Sequence, residues 1–241
     1  MKHNNQVAGG KWRKPKGHRG KLFRRVRKQR VKYITILPSL ITILNGVCGF
    51  TAVVLASKAL APQPGRWSYF ALAGYMVLVA MLFDMLDGRL ARMSQSTSSF
   101  GGQLDSLCDM ISFGVAPAFL MLKLVETRMD LANAICEGFL HRFIWLAAVA
   151  YIACTAIRLA RFNVENEENE MAHMSFVGLP SPGAAGVIVS LVIFHQQEVP
   201  HLNYLVYLLP FITLAVAILM VSQVRYPHVL NVYLTGKKPF G

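Results

Sequence analysis

The chain has 241 residues, 54% of them hydrophobic and only 15% charged, a balance that excludes an ordinary soluble domain and calls for membrane spans. Its formal net charge of +13 is not spread along the chain: residues 1–33 hold 13 of the 25 Lys and Arg and no acidic residue, and the remainder carries 12 of each sign. No two of Cys48, Cys108, Cys136 and Cys154 have zinc-ligand spacing, which leaves them as small buried hydrophobes.

Residues 1–33 form a basic tail too polar to bury a core of its own. The tail runs straight into an apolar segment, so its expected partner is a surface of anionic lipid headgroups and not nucleic acid. That apolar segment is too long for the hydrophobic region of a cleavable signal and has no A-x-A site close behind it, so it reads as a retained anchor. Six segments then approach the ~20 apolar residues that a bilayer crossing needs. They cover roughly residues 34–58, 68–88, 100–123, 139–160, 180–197 and 202–223. The expected architecture is an all-α integral membrane protein, a six-transmembrane-helix bundle over residues 34–225, with a short C-terminal tail over 226–241. With the N-terminus in the cytoplasm, the cytoplasmic segments hold 20 Lys and Arg and the opposite side 5. Both termini are therefore expected in the cytoplasm, of a bacterial inner membrane rather than an organelle.

Four of the five aspartates, Asp84, Asp87, Asp105 and Asp109, fall within 26 residues around the turn between the second and third spans. At about 100° per residue, Asp87, Gly88, Ala91 and Arg92 all lie within about 80° of Asp84, and Gly101, Asp105 and Asp109 share about 80° of the next helix. Antiparallel helices joined by a short turn must touch, so the two Asp pairs are expected to face each other. An intramembrane charge costs about 2.5–3.5 kcal/mol at the bilayer centre, so four like charges need a positive partner. Hard dications such as Mg²⁺ take oxygen ligands and suit it. Four Asp against Arg89 and Arg92 leave a net negative site, and two dications would neutralise that site together with a bound diphosphate. Such a pair of metals can clamp a diphosphate and stabilise its leaving group. The attacking hydroxyl needs a general base, and Asp109, the deepest along its helix, is placed to serve. Small residues such as Gly88, Ala91 and Gly101 also permit close helix packing, but interleaved with four Asp and an Arg they point to a ligand cleft.

The stretch Asp84-x2-Asp87-Gly88-x2-Ala91-Arg92-x8-Gly101-x3-Asp105-x3-Asp109 resembles the signature of the CDP-alcohol phosphatidyltransferases at every position. The resemblance covers about residues 34–225 and implies six spans, a homodimer, and Mg²⁺ or Mn²⁺ held by Asp84, Asp87, Asp105 and Asp109, with Asp109 as proton acceptor. It implies that Gly88, Ala91, Arg92, Ser98 and Gly101 line the CDP-lipid site. Three further segments resemble the branch that uses L-serine, the phosphatidylserine synthases: LDSLCDMISFGVAPA, RLARFN at 158–163 and GLPSP at 178–182. Relatives that use glycerophosphate tend to have Pro and Lys where this chain has Ser106 and Met110. The implied reaction is CDP-diacylglycerol plus L-serine giving phosphatidylserine and CMP. A serine zwitterion needs a cation for its carboxylate, and Arg158 and Arg161 stand on the expected active-site side, where they also serve as positive-inside anchors. One position departs from the family: many relatives open the first span with Pro-Asn, and here it is Pro38-Ser39. Thr42 and Asn45 are the polar residues on that span that could replace a nucleotide contact. The rival readings are another acceptor (glycerol 3-phosphate, inositol phosphate or choline) and a cation transporter. A transport path would carry polar groups through the full membrane depth, whereas these cluster at one end.

Overall fold

The structure is a computed structural model and describes residues 39–59, 68–94, 99–129, 137–168, 178–197 and 203–222. The tail of residues 1–33, the segment 226–241, Pro38 and Ser98 lie outside the described residues. The helices are α1 (Ser39–Lys58), α2 (Tyr69–Ser94), α3 (Ser99–Asp109), α4 (Ala116–Met129), α5 (Glu137–Glu168), α6 (Ser181–Gln197) and α7 (Asn203–Val221). A π-helical turn, Met110–Val115, joins α3 and α4 into one rod. Among the described residues five helical spans are long and apolar enough to cross a bilayer: α1, α2, the α3–α4 rod, α5 and α7. The chain is an integral membrane protein. Helix α6 is apolar but has 17 residues, about 25 Å at 1.5 Å per residue. Two helices outrun their apolar parts, α2 continuing to Ser94 and α5 to Glu168.

The rod is the centre of the bundle. Of its apolar span 72% is buried, against 33–39% for the other four. Those four and α6 cover it, and they turn side chains such as Leu40, Phe50, Val149 and Phe211 outward, as lipid requires. Helix α5 packs along α7, and α2 along α6. Direct bonds gather the start of α1, the end of α2, the end of α3, the later part of α5, the start of α6 and the end of α7 around one region of the bundle.

Pro117 explains how the rod's turn is held. It has no N–H for the carbonyl of Phe113 one turn back, and a proline ring crowds that carbonyl. The backbone widens, with Ala116 N–H bonding to Ile111 O, and the buried Tyr151 hydroxyl on α5 donates to Phe113 O at 2.9 Å. Irregular backbone is tolerated at membrane depth only when such partners exist.

Helix α1 lies close against the rod because its facing residues are glycines. A Cβ at Gly46 would sit 3.0 Å from Cys108 Sγ, and one at Gly49 would sit 2.6 Å from Ser112 Cα. Ser112 Oγ in turn donates to Asn45 O at 2.9 Å. Gly49→Ala should therefore push α1 off the rod. Overpacking of this kind costs about 1–3 kcal/mol, and a lower thermal midpoint in detergent with slower turnover is the expected result. Gly178 has φ of +85°, and a Cβ there would meet Met220 O at 2.6 Å. Glycine at this place lets the segment before α6 tuck against the end of α7, with Leu179 N–H donating to Leu219 O.

Candidate active site and metal centre

The aspartates occupy the later part of α2 and the second half of α3. One carboxylate oxygen each from Asp84, Asp105 and Asp109 lie within 4.8 Å of one another. The fourth, Asp87, is 4% exposed and turns toward α1, where it accepts a hydrogen bond from Thr42 Oγ1 at 2.8 Å. The two pairs therefore do not meet as equals: three carboxylates form a cradle, and Asp87 ties that cradle to α1 while staying within electrostatic range of Asp84 and Asp105. Asp109, 7% exposed, is held by a 2.9 Å hydrogen bond from Asn45 Nδ2 to its Oδ1.

These residues fit a dication. Asp105 Oδ1 is buried and has no hydrogen-bond partner among the described residues. It points to a missing positive partner, and three convergent carboxylate oxygens are the donor set that hard divalent cations take. Among the described residues this is where His, Cys, Asp and Glu ligand atoms converge in a group of three.

Arg158, on α5, faces the cradle. It lies within electrostatic range of Asp109 and Asp84, its Nη1 donates to Ser181 Oγ at 2.7 Å, and its buried Nε has no partner among the described residues. Arg161 is exposed. Ser106, between two of the aspartates, exchanges hydrogen bonds with Asn163 at 2.9–3.1 Å. The three branch-marking segments of the sequence thus meet in space: Ser106 touches Asn163, and Arg158 touches Ser181.

Of the small residues, Gly88 is informative. A Cβ added there meets nothing within 4 Å, unlike the tightly packed Gly46 and Gly49, so helix packing does not explain it. Gly101 is half-buried at the start of α3. Ala91 and Arg92 stand in the last turns of α2, with their side chains outside the description. Arg89 is exposed. Thr42 and Asn45, which the sequence suggests as nucleotide contacts, are bonded to Asp87 and Asp109. The links of Ser181 and Asn163 are not foreshadowed by any spacing. Polar residues three apart on an apolar helix were the available signal for the first two.

The family model for CDP-alcohol phosphatidyltransferases matches residues 35–224. The chain belongs to the CDP-alcohol phosphatidyltransferase family. Members of that family use divalent metals, and the cradle of Asp84, Asp105 and Asp109 is fit to hold one. Curated relatives named CDP-diacylglycerol–serine O-phosphatidyltransferase are similar to this phosphatidyltransferase over long stretches. One from Methanocaldococcus jannaschii is 28% identical over 201 residues, 83% of this chain and 78% of the relative. One from Helicobacter pylori is 34% identical over 196 residues, 80% of this chain and 72% of the relative. One from Saccharomyces cerevisiae is 34% identical over 156 residues, 63% of this chain and 51% of the relative.

Proposed function

We propose that this phosphatidyltransferase moves the phosphatidyl group of CDP-diacylglycerol onto L-serine, forming phosphatidylserine and releasing CMP. The observation that carries the choice of acceptor is Arg158, fixed by Ser181 beside the aspartates with its buried Nε unpartnered among the described residues. A guanidinium so placed suits a carboxylate, which serine has and choline lacks. Phosphorylated acceptors would call for more cations than Arg158 and the exposed Arg161 at the rim.

In this reading Asp109 accepts the proton of the serine hydroxyl. The freed oxygen bonds to the phosphatidyl phosphorus, and the bond from that phosphorus to CMP breaks, CMP taking the electron pair. Asn45 holds Asp109 in place, and Thr42 holds Asp87. Asp84, Asp105 and Asp109, with Asp87 behind them, would hold two ions, Mg²⁺ or Mn²⁺. When bound, such ions supply charge neutralisation for the diphosphate and its leaving group. Gly88, Ala91, Arg92, Ser98 and Gly101 would line the CDP-lipid site, the open space at Gly88 admitting the donor.

The same reading makes α6 a sixth span and the assembly a homodimer. The catalytic domain runs over residues 34–225, and the flanking segments 1–33 and 226–241 are cytoplasmic. The site shares their side of a bacterial inner membrane, and the basic tail rests on anionic headgroups.

The test offers the purified protein in detergent CDP-diacylglycerol, Mg²⁺ or Mn²⁺, and separately L-serine, glycerol 3-phosphate, inositol phosphate or choline, while CMP is followed. Metal-dependent CMP release with serine alone is the expected result. Release with one of the others would overturn the acceptor assignment, and no release from folded protein would reopen the transporter reading.

A further inference from the structure

Four buried side-chain atoms lack hydrogen-bond partners among the described residues: Asn45 Oδ1, Asp105 Oδ1, Arg158 Nε and His195 Nε2. His195 sits 14 residues along α6 from Ser181, about 21 Å away. The other three belong to residues of the site. Asp105 Oδ1 is accounted for by a cation, and Arg158 Nε by an acceptor carboxylate. Asn45 Oδ1 is an acceptor awaiting a donor.

Asn45 is not free to turn that oxygen elsewhere. It is 0% exposed, its Nδ2 is committed to Asp109 Oδ1 at 2.9 Å, and its backbone oxygen accepts from Ser112 Oγ at 2.9 Å. A buried carbonyl without a donor is costly, and a ligand that brings an N–H removes the cost. Oδ1 shares one planar amide with the group that holds Asp109, so the donor must sit beside the hydroxyl whose proton Asp109 takes. In serine the ammonium is on the carbon next to the hydroxymethyl, which is that neighbourhood.

We propose that Asn45 is a specificity-determining residue whose Oδ1 receives the ammonium of the acceptor, making the enzyme select a 1,2-amino alcohol bearing a carboxylate. The inference rests on the serine reading with Asp109 as the base. An acceptor without a nitrogen leaves the amide oxygen unpaired, and a site built around a buried polar group rejects ligands that leave it so.

The experiment compares L-serine with 3-hydroxypropionate, which is serine with its amine replaced by hydrogen, in wild type and Asn45→Leu, reading kcat and KM from CMP release. Wild type should favour serine in kcat/KM by about 10- to 150-fold, the range of a hydrogen bond to a charged group. Asn45→Leu should bring the two acceptors to within about threefold, and any equal slowing of both reports its lost grip on Asp109. The KM for CDP-diacylglycerol serves as the check of folding, and Asn45→Ala removes the same oxygen if the larger side chain is not accommodated. Asn45→Gln, which keeps an amide, should restore part of the preference. A variant that folds and keeps the full wild-type preference for serine would overturn the proposal while leaving the serine reading standing. A wild type that makes no distinction between the two acceptors, or does not use serine, would overturn both, and the wild-type arm alone reveals that case.

Discussion

Asp109→Asn should slow CMP release by at least the 10²–10⁴-fold that a positioned general base contributes, while the protein stays folded. The exchange keeps the shape of the side chain and an oxygen for Asn45 Nδ2, which donates to Asp109 at 2.9 Å. It removes the charge and the lone pair that would take the serine proton, and it weakens the three-carboxylate cradle. Elution as an intact particle and retained binding of CDP-diacylglycerol would show that the loss is chemical. Turnover close to wild type would remove Asp109 from the role of base.

Arg158→Met should act differently, raising the KM for serine by about 10- to 150-fold, the equivalent of one charge-assisted hydrogen bond. The KM for the CDP-lipid should change little, because the guanidinium is bonded to Ser181 on α6 rather than to α2 or α3. Arg158→Lys should recover only part of the affinity, since an ammonium lacks the planar fork that pairs with a carboxylate. An unchanged serine KM in both variants would move the acceptor carboxylate to another cation.

These expectations differ in how much of their basis was readable from the residues. The aspartates were legible because carboxylates in an apolar chain have no structural explanation, and the helical step alone puts Asp105 and Asp109 on one face. The apolar segments likewise gave the helices within a few residues. Helices α2, α4 and α5 continue past the apolar segments 68–88, 100–123 and 139–160 to Ser94, Met129 and Glu168, because hydropathy marks the membrane and not the hydrogen-bonded ladder. The π-helical turn after Asp109 was invisible: Pro117 signals a kink, but not that Tyr151, 38 residues away on α5, would cap Phe113 O. The pairing of Asp87 with Thr42 and of Asp109 with Asn45 depends on how closely α1 can approach the rod. That approach is set by Gly46 and Gly49 against Cys108 and Ser112, a long-range contact with no trace in local spacing. The role of GLPSP is similar. As sequence it marks a branch, and in the fold Gly178 lets the segment before α6 tuck against α7 while Ser181 holds Arg158.

The claim on which the rest depends is that Asp84, Asp105 and Asp109 form a divalent-cation site, and Mn²⁺ binding tests it most directly. The purified protein would be titrated with Mn²⁺ and the sharp electron paramagnetic resonance signal of the free aqueous ion followed, with and without CDP-diacylglycerol. Wild type should deplete that signal, more strongly with the diphosphate lipid present, and Asp105→Asn and Asp84→Asn should each lose most of the depletion while remaining folded. Depletion by these variants equal to that of wild type would place the ion elsewhere and contradict the account.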